Sequence, residues 1–389
     1  MDQHPIVVHV TREALPSTQT FVLNQVSHLK RYRPVSVCER RGPLQLSGTE
    51  TWSAVESAPR PLQWAEVALD KTLRTSLPSV VRARRRYVGS LAPSVVHYHF
   101  LVNARSYVDV SKSANTPAIV SAYGYDVSSF PRRFFGLGRT YLARVFSELD
   151  LFLAMSEDMR NDLCELGCPQ DRVRVHYHGI DTSRFAAPER RYDASRRLRV
   201  LCVGRLTPVK GQDRLVTALA HVRKRVDVPF ELVLVGDGPL RGRIEDVVAR
   251  NGMSDIVVFT GHIDHASESL VEHYRHADVF ALPSVSVGGR KEGIPGTLVE
   301  AMASGLPVVS TRHAGIPTVV ESGTNGTLID EERLAGGDVD ELAAALELLL
   351  TSAPDRQSLG EAASLRAKAE LDVIPATERL EVLYDSVTT

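Results

Sequence analysis

The chain has 389 residues, 43% of them apolar and 24% charged, with a formal net charge of −1. That length holds two domains of ordinary size, and the charge balance excludes a general nucleic-acid binder. The longest apolar runs, such as VFAL and VLCV, fall far short of the ~20 residues of a membrane span. The opening MDQHPIVVHV lacks the basic region of a signal peptide and enters a strand directly.

Charge is unevenly spread, with 23 basic and 17 acidic residues in positions 1–185 against 23 and 30 in the rest. Halves of opposite sign predict two domains with different partners. Of the four cysteines, Cys38, Cys164, Cys168 and Cys202, only two are close, and their spacing is no metal or redox motif. Reduced, mostly buried thiols and a cytoplasmic location are expected.

In chain order, PIVVHV reads as a strand, FVLNQVSHLK as a helix and VSVCE as a second strand. SVVHYHF, PAIVSAYG and LDLFLAMS are further short strands between segments of helical period. The polar, aperiodic segment APERRYDASRR (187–197) reads as a linker. A second series follows it: LRVLCVG, a helix from Gln212, FELVLVG, IVVFTG, DVFALPS and LPVVST. Alternating strands and helices predict an α/β protein of two parallel, doubly wound sheets. The expected domains are 1–186 and 198–375, with a final helix at about 376–387. In such sheets ligands bind beyond the carboxyl ends of the strands, and the unusual residues of this chain lie there.

VGRLTPVKG (203–211) places Arg205 and Lys210 in a loop between strand and helix. Together with Gly204 they suit a diphosphate, although an ordinary turn with two solvated cations fits as well. VGDGPLRG (235–242) has G-x-G-x-x-x-G spacing through Gly236 and Gly238, which is not a dinucleotide fingerprint; a tight turn lining a nucleotide pocket is expected. EGIPGTLVE (292–300) sets Glu292 in a loop and Glu300 in what reads as the first turn of a helix, which Gly305 ends. Paired carboxylates suit sugar hydroxyls, whereas each glutamate alone reads as a solvated residue or a helix-dipole partner.

Taken together, R-x4-K-G, G-D-G-P, E-G-I-P-x4-E-A-M-A-x-G-x-P-V-V-S-T and G-I-P-x-V-V-E resemble the C-terminal domain of retaining glycosyltransferases of the GT-B fold. The form G-R-K-E-G-I-P is most like the branch that builds bacterial surface polysaccharides. The likeness extends to SEDMRNDLCELG, HGIDTSRF, STQTFVLNQ and VHYHF, so it spans nearly the whole chain. It implies two Rossmann-like domains facing across a cleft, the first for the acceptor and the second for the nucleotide-sugar. It implies that Arg205 and Lys210 hold the donor diphosphate, Glu292 the transferred sugar and Glu300 the ribose. Backbone amides of Gly293, Ile294, Pro295, Gly296, Thr297 and Leu298 would line the same donor (the proline offering only its carbonyl side). The implied reaction moves a sugar to an acceptor hydroxyl with retention, the leaving phosphate itself taking the acceptor's proton. The implied substrates are a nucleotide-diphosphate sugar and a sugar-containing, lipid-linked or small-molecule acceptor, with no metal and no other cofactor.

The chain departs from the family at two places. YGYD replaces His-Gly-x-Asp, putting Tyr123 where a histidine contacts the substrates near the reacting centre, followed by Asp126. S-T-Q-T-F replaces S-E-T-F, putting Thr18 or Gln19 in the place of an acid on the acceptor side. Tyr123 is expected to line the cleft beside the sugar, and His99, after a strand, to serve the acceptor. A nucleotide-sugar 2-epimerase of the same architecture and a non-catalytic nucleotide-sugar-binding partner are the alternatives. The histidine pairs 97/99, 176/178, 262/265 and 273/276 find no third ligand at a recognisable spacing. RARRRY (82–87) and PRRFFGLGRTYLARVF (131–146) are basic and partly amphipathic. They read as solvated helix faces or as peripheral contacts with an anionic inner-membrane surface or a lipid-diphosphate acceptor.

Overall fold

Runs of three to nine residues, most of them valine-rich and followed by a helix, build two parallel sheets. The computed structural model describes residues 4–14, 20–41, 49–73, 75–128, 130–132, 136–187 and 196–388. One unit comprises Met1–Gly179 with Val373–Thr389, and the other Ile180–Asp372.

The first unit contains β1 (Ile6–Ala14), β2 (Arg33–Arg41), β3 (Glu50–Ser53), β4 (Val95–His99), β5 (Ala118–Ser121), β6 (Leu151–Ala154) and β7 (Val173–Val175). Their order is β3-β2-β1-β4-β5-β6-β7. The second contains β8 (Leu198–Val203), β9 (Phe230–Val235), β10 (Val257–Gly261), β11 (Val279–Leu282), β12 (Val308–Thr311) and β13 (Thr327–Ile329), ordered β10-β9-β8-β11-β12-β13. Every strand pair is parallel. In both sheets the order reverses beside the first strand, at β1/β4 and at β8/β11, and such a switch point opens a crevice.

All the expected strands form. The short edge strands β3, β7 and β13 were not legible, because ETWS, VRV and TLI are too short to show alternation. The final helix starts at Val373 rather than near 376. It packs on the first sheet: Leu380 and Tyr384 are fully buried with Val7, Val95, Ile119 and Leu153. Each such apolar side chain contributes about 2 kcal/mol of burial. Glu381 fastens the helix by accepting the backbone N–H groups of Lys30 (2.7 Å) and Arg31 (2.6 Å).

The expected boundary at 186 differs from the structure. Residues from Ile180 onward belong to the second unit, where Ile180 N–H donates to Leu371 and Phe185 O accepts the Ser304 hydroxyl at 2.8 Å. Most of the expected linker 187–197 lies outside the described residues. All four cysteines are free thiols, three buried and Cys164 partly so.

Candidate functional site

In the second unit, chemistry gathers at the carboxyl ends of β8 and β11. The β8 loop carries Arg205, exposed, and Lys210, whose Nζ lies 2.7 Å from Glu292 Oε2 in the loop after β11. Val285 N–H donates to Val209 O (2.8 Å), which fastens the two loops across the switch point. The arginine guanidinium has no partner among the described residues.

The glycines of the next loop have a different reason from the expected one. A Cβ on Gly236 would strike the Gly204 carbonyl, and one on Gly238 the Leu206 backbone. Gly236 also has φ +133°, a region open essentially to glycine alone. These glycines let the β8 and β9 loops touch each other, which positions Arg205.

The Gly296–Ala303 helix follows Pro295 and closes with Gly305 at φ +72°. Leu306 N–H donates to Ala301 O and Gly305 N–H to Met302 O, the double bond of a Schellman end. At its start, the N–H groups of Gly293, Ile294, Gly296 and Thr297 have no acceptor among the described residues, and Thr297 Oγ1 is buried without a partner. Leu298 N–H is spent on Pro295 O. Such free amides with a helix dipole behind them attract an anion.

Glu300 lies in the second turn of this helix, not the first, because the helix begins at Gly296. It is 4% exposed, so it does not act as an exposed dipole partner. Its Oε2 accepts the Tyr274 hydroxyl (2.6 Å) and its Oε1 faces His265 Nε2 (2.9 Å). Hydrogen bonding to Glu300 raises the His265 pKa, which keeps a donor on that nitrogen. A carboxylate accepts about four hydrogen bonds, so Glu300 retains lone pairs for a ligand hydroxyl.

Sequence reasoning missed three of these partners: Tyr274, His265 in this role, and His313. His313 is fully buried, and its Nε2 accepts the Glu292 N–H at 2.9 Å. That leaves the proton on Nδ1, which faces Glu331 Oε2 at 3.0 Å. Ala314 follows at φ +45°, and Gly315 lies so close to Gly293 and Ile294 that a Cβ on it would strike them. His313 and Gly315 thus seat the Glu292 loop.

In the first unit, His9 on β1 pairs in register with His97 on β4, and His99 lies two residues on. The three imidazoles offer nitrogens within 4.8 Å of one another. A parallel register brings His9 to the 97/99 pair, a third histidine that spacing in the chain does not reveal. His97 is engaged by Tyr384 OH (2.7 Å) and Ser121 Oγ (2.8 Å), and His99 by His9 (3.1 Å) and Tyr123 OH (3.1 Å). Only His9 Nε2 among these nitrogens lacks a partner.

Tyr123 is 7% exposed and packs between Phe21 and Phe100, with ring centroids at 4.9 and 4.5 Å. It is a core residue with its hydroxyl on His99, rather than an exposed group, since three neighbouring aromatic side chains enclose it. His99 and Asp126 are likewise fully buried. Asp126 Oδ2 accepts the Tyr123 N–H (3.1 Å), anchoring the turn after β5. Thr18 and Gln19 lie outside the described residues.

Burial raises the Asp126 pKa from 3.8 to about 7. A raised carboxyl pKa means that the folded state binds a proton the unfolded chain has released, so its penalty grows from pH 4 to 7 and then levels off. Asp126→Asn is expected to remove that slope, worth up to roughly 4 kcal/mol at pH 8 less the hydrogen bond lost. Urea unfolding at pH 5 and pH 8 reads it; an unchanged slope refutes the assignment.

Residues 197–352 match the family model described as glycosyl transferases group 1, and residues 19–184 match glycosyltransferase family 4. The amylovoran biosynthesis glycosyltransferase AmsK of Erwinia amylovora is 35% identical over 231 residues, 59% of this chain and 54% of that protein. A GDP-mannose-dependent alpha-(1-6)-phosphatidylinositol monomannoside mannosyltransferase of Mycolicibacterium smegmatis is 31% identical over 303 residues, 75% of this chain and 76% of its own length. The matched part thus spans about half of the first relative and three quarters of the second. Among solved structures, Anabaena HepE with UDP and glucose bound superposes with a TM-score of 0.75 at 17% identity, over 98% of this chain and 100% of that one. The sucrose-phosphate synthase of Thermosynechococcus elongatus gives 0.73 at 20%, over 98% of both. No helix among the described residues is long and apolar enough to cross a membrane. With both halves of the chain matched and the doubly wound sheets in place, the protein belongs to the group 1 glycosyltransferases and has their α/β GT-B fold.

Proposed function

We propose that the protein transfers a sugar from a nucleotide-diphosphate donor to an acceptor hydroxyl with retention, in polysaccharide or glycolipid biosynthesis. The observation that carries this reading is the second unit's set of Lys210 on Glu292 beside the free amides of Gly293, Ile294, Gly296 and Thr297. Cation and amides suit the diphosphate, Glu292 suits hydroxyls of the transferred sugar, and Glu300 the ribose. The anomeric carbon loses its bond to the β-phosphate oxygen and gains one to the acceptor oxygen on the same face. The acceptor's proton passes to the departing phosphate. Arg205 and Lys210 stabilise the charge that grows there, so this scheme asks for no metal. Acceptor recognition is assigned to the first unit, where His99, Tyr123 and Asp126 act by shaping its buried lining.

The relatives' names and the UDP of Anabaena HepE support a nucleotide-linked sugar. GDP-mannose and UDP-glucose are therefore the first donors to test, with nucleoside diphosphate release in the presence of acceptor as the readout. Absence of release with every donor and acceptor tried, despite tight nucleotide binding, favours a non-catalytic binding partner.

The two glutamates are expected to separate in calorimetry with free nucleoside diphosphate. Glu300→Gln weakens affinity about 10-fold or more, the loss of one charged hydrogen bond. Glu292→Gln leaves it nearly unchanged, because the free diphosphate has no sugar to contact, while turnover falls. Equal losses of affinity refute these roles.

A further inference from the structure

The two basic segments singled out in the sequence converge on one cavity of the first unit. It has a volume of about 510 Å³ and is lined by Arg84, Arg85, Arg105, Arg144, Asp109 and neighbouring hydroxyl residues. Val81, Arg84 and Arg85 project from one stripe of the Pro78–Leu91 helix, at spacings i, i+3 and i+4. Leu137, Thr140, Tyr141 and Arg144 form the matching stripe of the Leu137–Glu148 helix. Helical periodicity in two segments fifty residues apart therefore aims their cations into a single space.

The arginines differ in role. Arg84 is 1% exposed, with its guanidinium on both Asp109 oxygens (3.2 and 2.5 Å) and on Ser76 Oγ (3.3 Å). It lies over the Tyr107 ring at 4.4 Å. Arg84 thus neutralises Asp109, the one acid of the lining, and holds the wall. Arg85 reaches Asp109 only at 3.7 Å, and Arg105 reaches Glu148 only at 4.0 Å, where Lys112 competes at 3.2 Å. The Arg144 side chain has no partner among the described residues. What remains is a concave, positively charged surface with Thr140 beside it and Leu137, 64% exposed, at its rim.

We propose that this cavity binds a phosphate group, with Arg85, Arg105 and Arg144 as its cationic contacts. Guanidinium forks match phosphate oxygens in geometry as well as charge, and Thr140 offers a hydroxyl donor. The phosphate comes either from an anionic lipid headgroup, for which the apolar rim is suited, or from a soluble phosphate. All the lining residues belong to the first unit, so phosphate binding there does not depend on donor recognition in the second.

The test compares Arg85→Ala/Arg144→Ala with Arg82→Ala/Arg86→Ala, which removes the same charge from exposed positions outside the cavity. Each full-length protein is titrated with inorganic phosphate. Each is also sedimented with vesicles of phosphatidylcholine alone or mixed equally with phosphatidylglycerol, and circular dichroism checks the fold. The expected result is binding by the parent protein that weakens with added salt, falls at least tenfold in the first pair and persists in the second. Binding of mixed vesicles alone identifies a lipid headgroup, and binding of inorganic phosphate identifies a soluble ligand. Should the double variant misfold, Arg144→Ala alone gives the same comparison. The proposal is overturned if the parent binds neither probe, if the cavity variants bind as well as the parent, or if both pairs lose binding equally.

Discussion

Arg205→Ala and Lys210→Ala are each expected to lower kcat/KM about 100-fold, with the fold intact. On the proposed reading each removes a cation from a leaving diphosphate, a loss of roughly 3 kcal/mol in comparable electrostatic sites. The structure separates the two. Arg205 is exposed and has no partner among the described residues, so its removal leaves nothing buried unpaired. Lys210 holds Glu292 Oε2 at 2.7 Å, and both side chains are mostly shielded, at 16% and 17% exposure. Lys210→Ala therefore also frees Glu292, and its effect on turnover is the larger of the two. Steady-state kinetics with a donor that the parent accepts reads both. If either variant keeps near-parental turnover, the diphosphate is held elsewhere.

Acid is expected to unfold the first unit before the second. Four imidazoles lie buried there and a fifth, His178, is half-buried, and burial lowers His9 and His176 to about 3 and His178 to about 4. Burial also takes His97 and His99 well below 6.5, helped by their neighbouring imidazoles. These groups face Tyr384 of the final helix, Gln25 of the Thr20–Ser27 helix, and Ser121 and Tyr123 after β5. A lowered imidazole pKa means that the unfolded chain takes up protons the folded one refuses. Stability is therefore complete above pH 6.5 and lost as pH falls toward 3 to 4. At pH 5 His9, His176 and His178 each cost about 2 kcal/mol, His97 and His99 add to this in the same direction, and Asp126, titrating the other way, offsets about one of them. The sum is comparable with the whole stability of a domain, ~5–15 kcal/mol. Both tryptophans, Trp52 and Trp64, lie in the first unit, so their fluorescence follows it alone. Urea midpoints by tryptophan emission should fall steeply between pH 6.5 and 5. A flat profile would mean that these imidazoles are not held neutral.

The residues that make each sheet were legible because buried parallel strands must be almost wholly apolar, as VFAL and FELVLV are. The loops at the carboxyl ends of the second unit's strands were legible too, since Gly236 and Gly305 report backbone geometry and Arg205, Lys210 and Glu292 report charge. The reasons behind some of them were not. Gly236 and Gly238 let two loops touch, a contact known only once β8 and β9 lie side by side. Glu300 read as a first-turn residue, whereas it lies in the second turn, where Tyr274 and His265 hold its two oxygens. His313 carried no signal of its own, yet its Nε2 accepts the Glu292 backbone N–H.

Tyr123 shows the same limit from the other side. Its place after a strand suggested a ligand contact, and packing by Phe21 and Phe100 decided that the ring is buried. His9 joined His97 and His99 through register alone. Local sequence by itself determined the elements, their turns and the charge at the strand ends, because these obey rules a few residues long. Pairing, burial and pKa depend on neighbours that only the parallel register and the helices packed over it bring together, and those the tertiary structure decided.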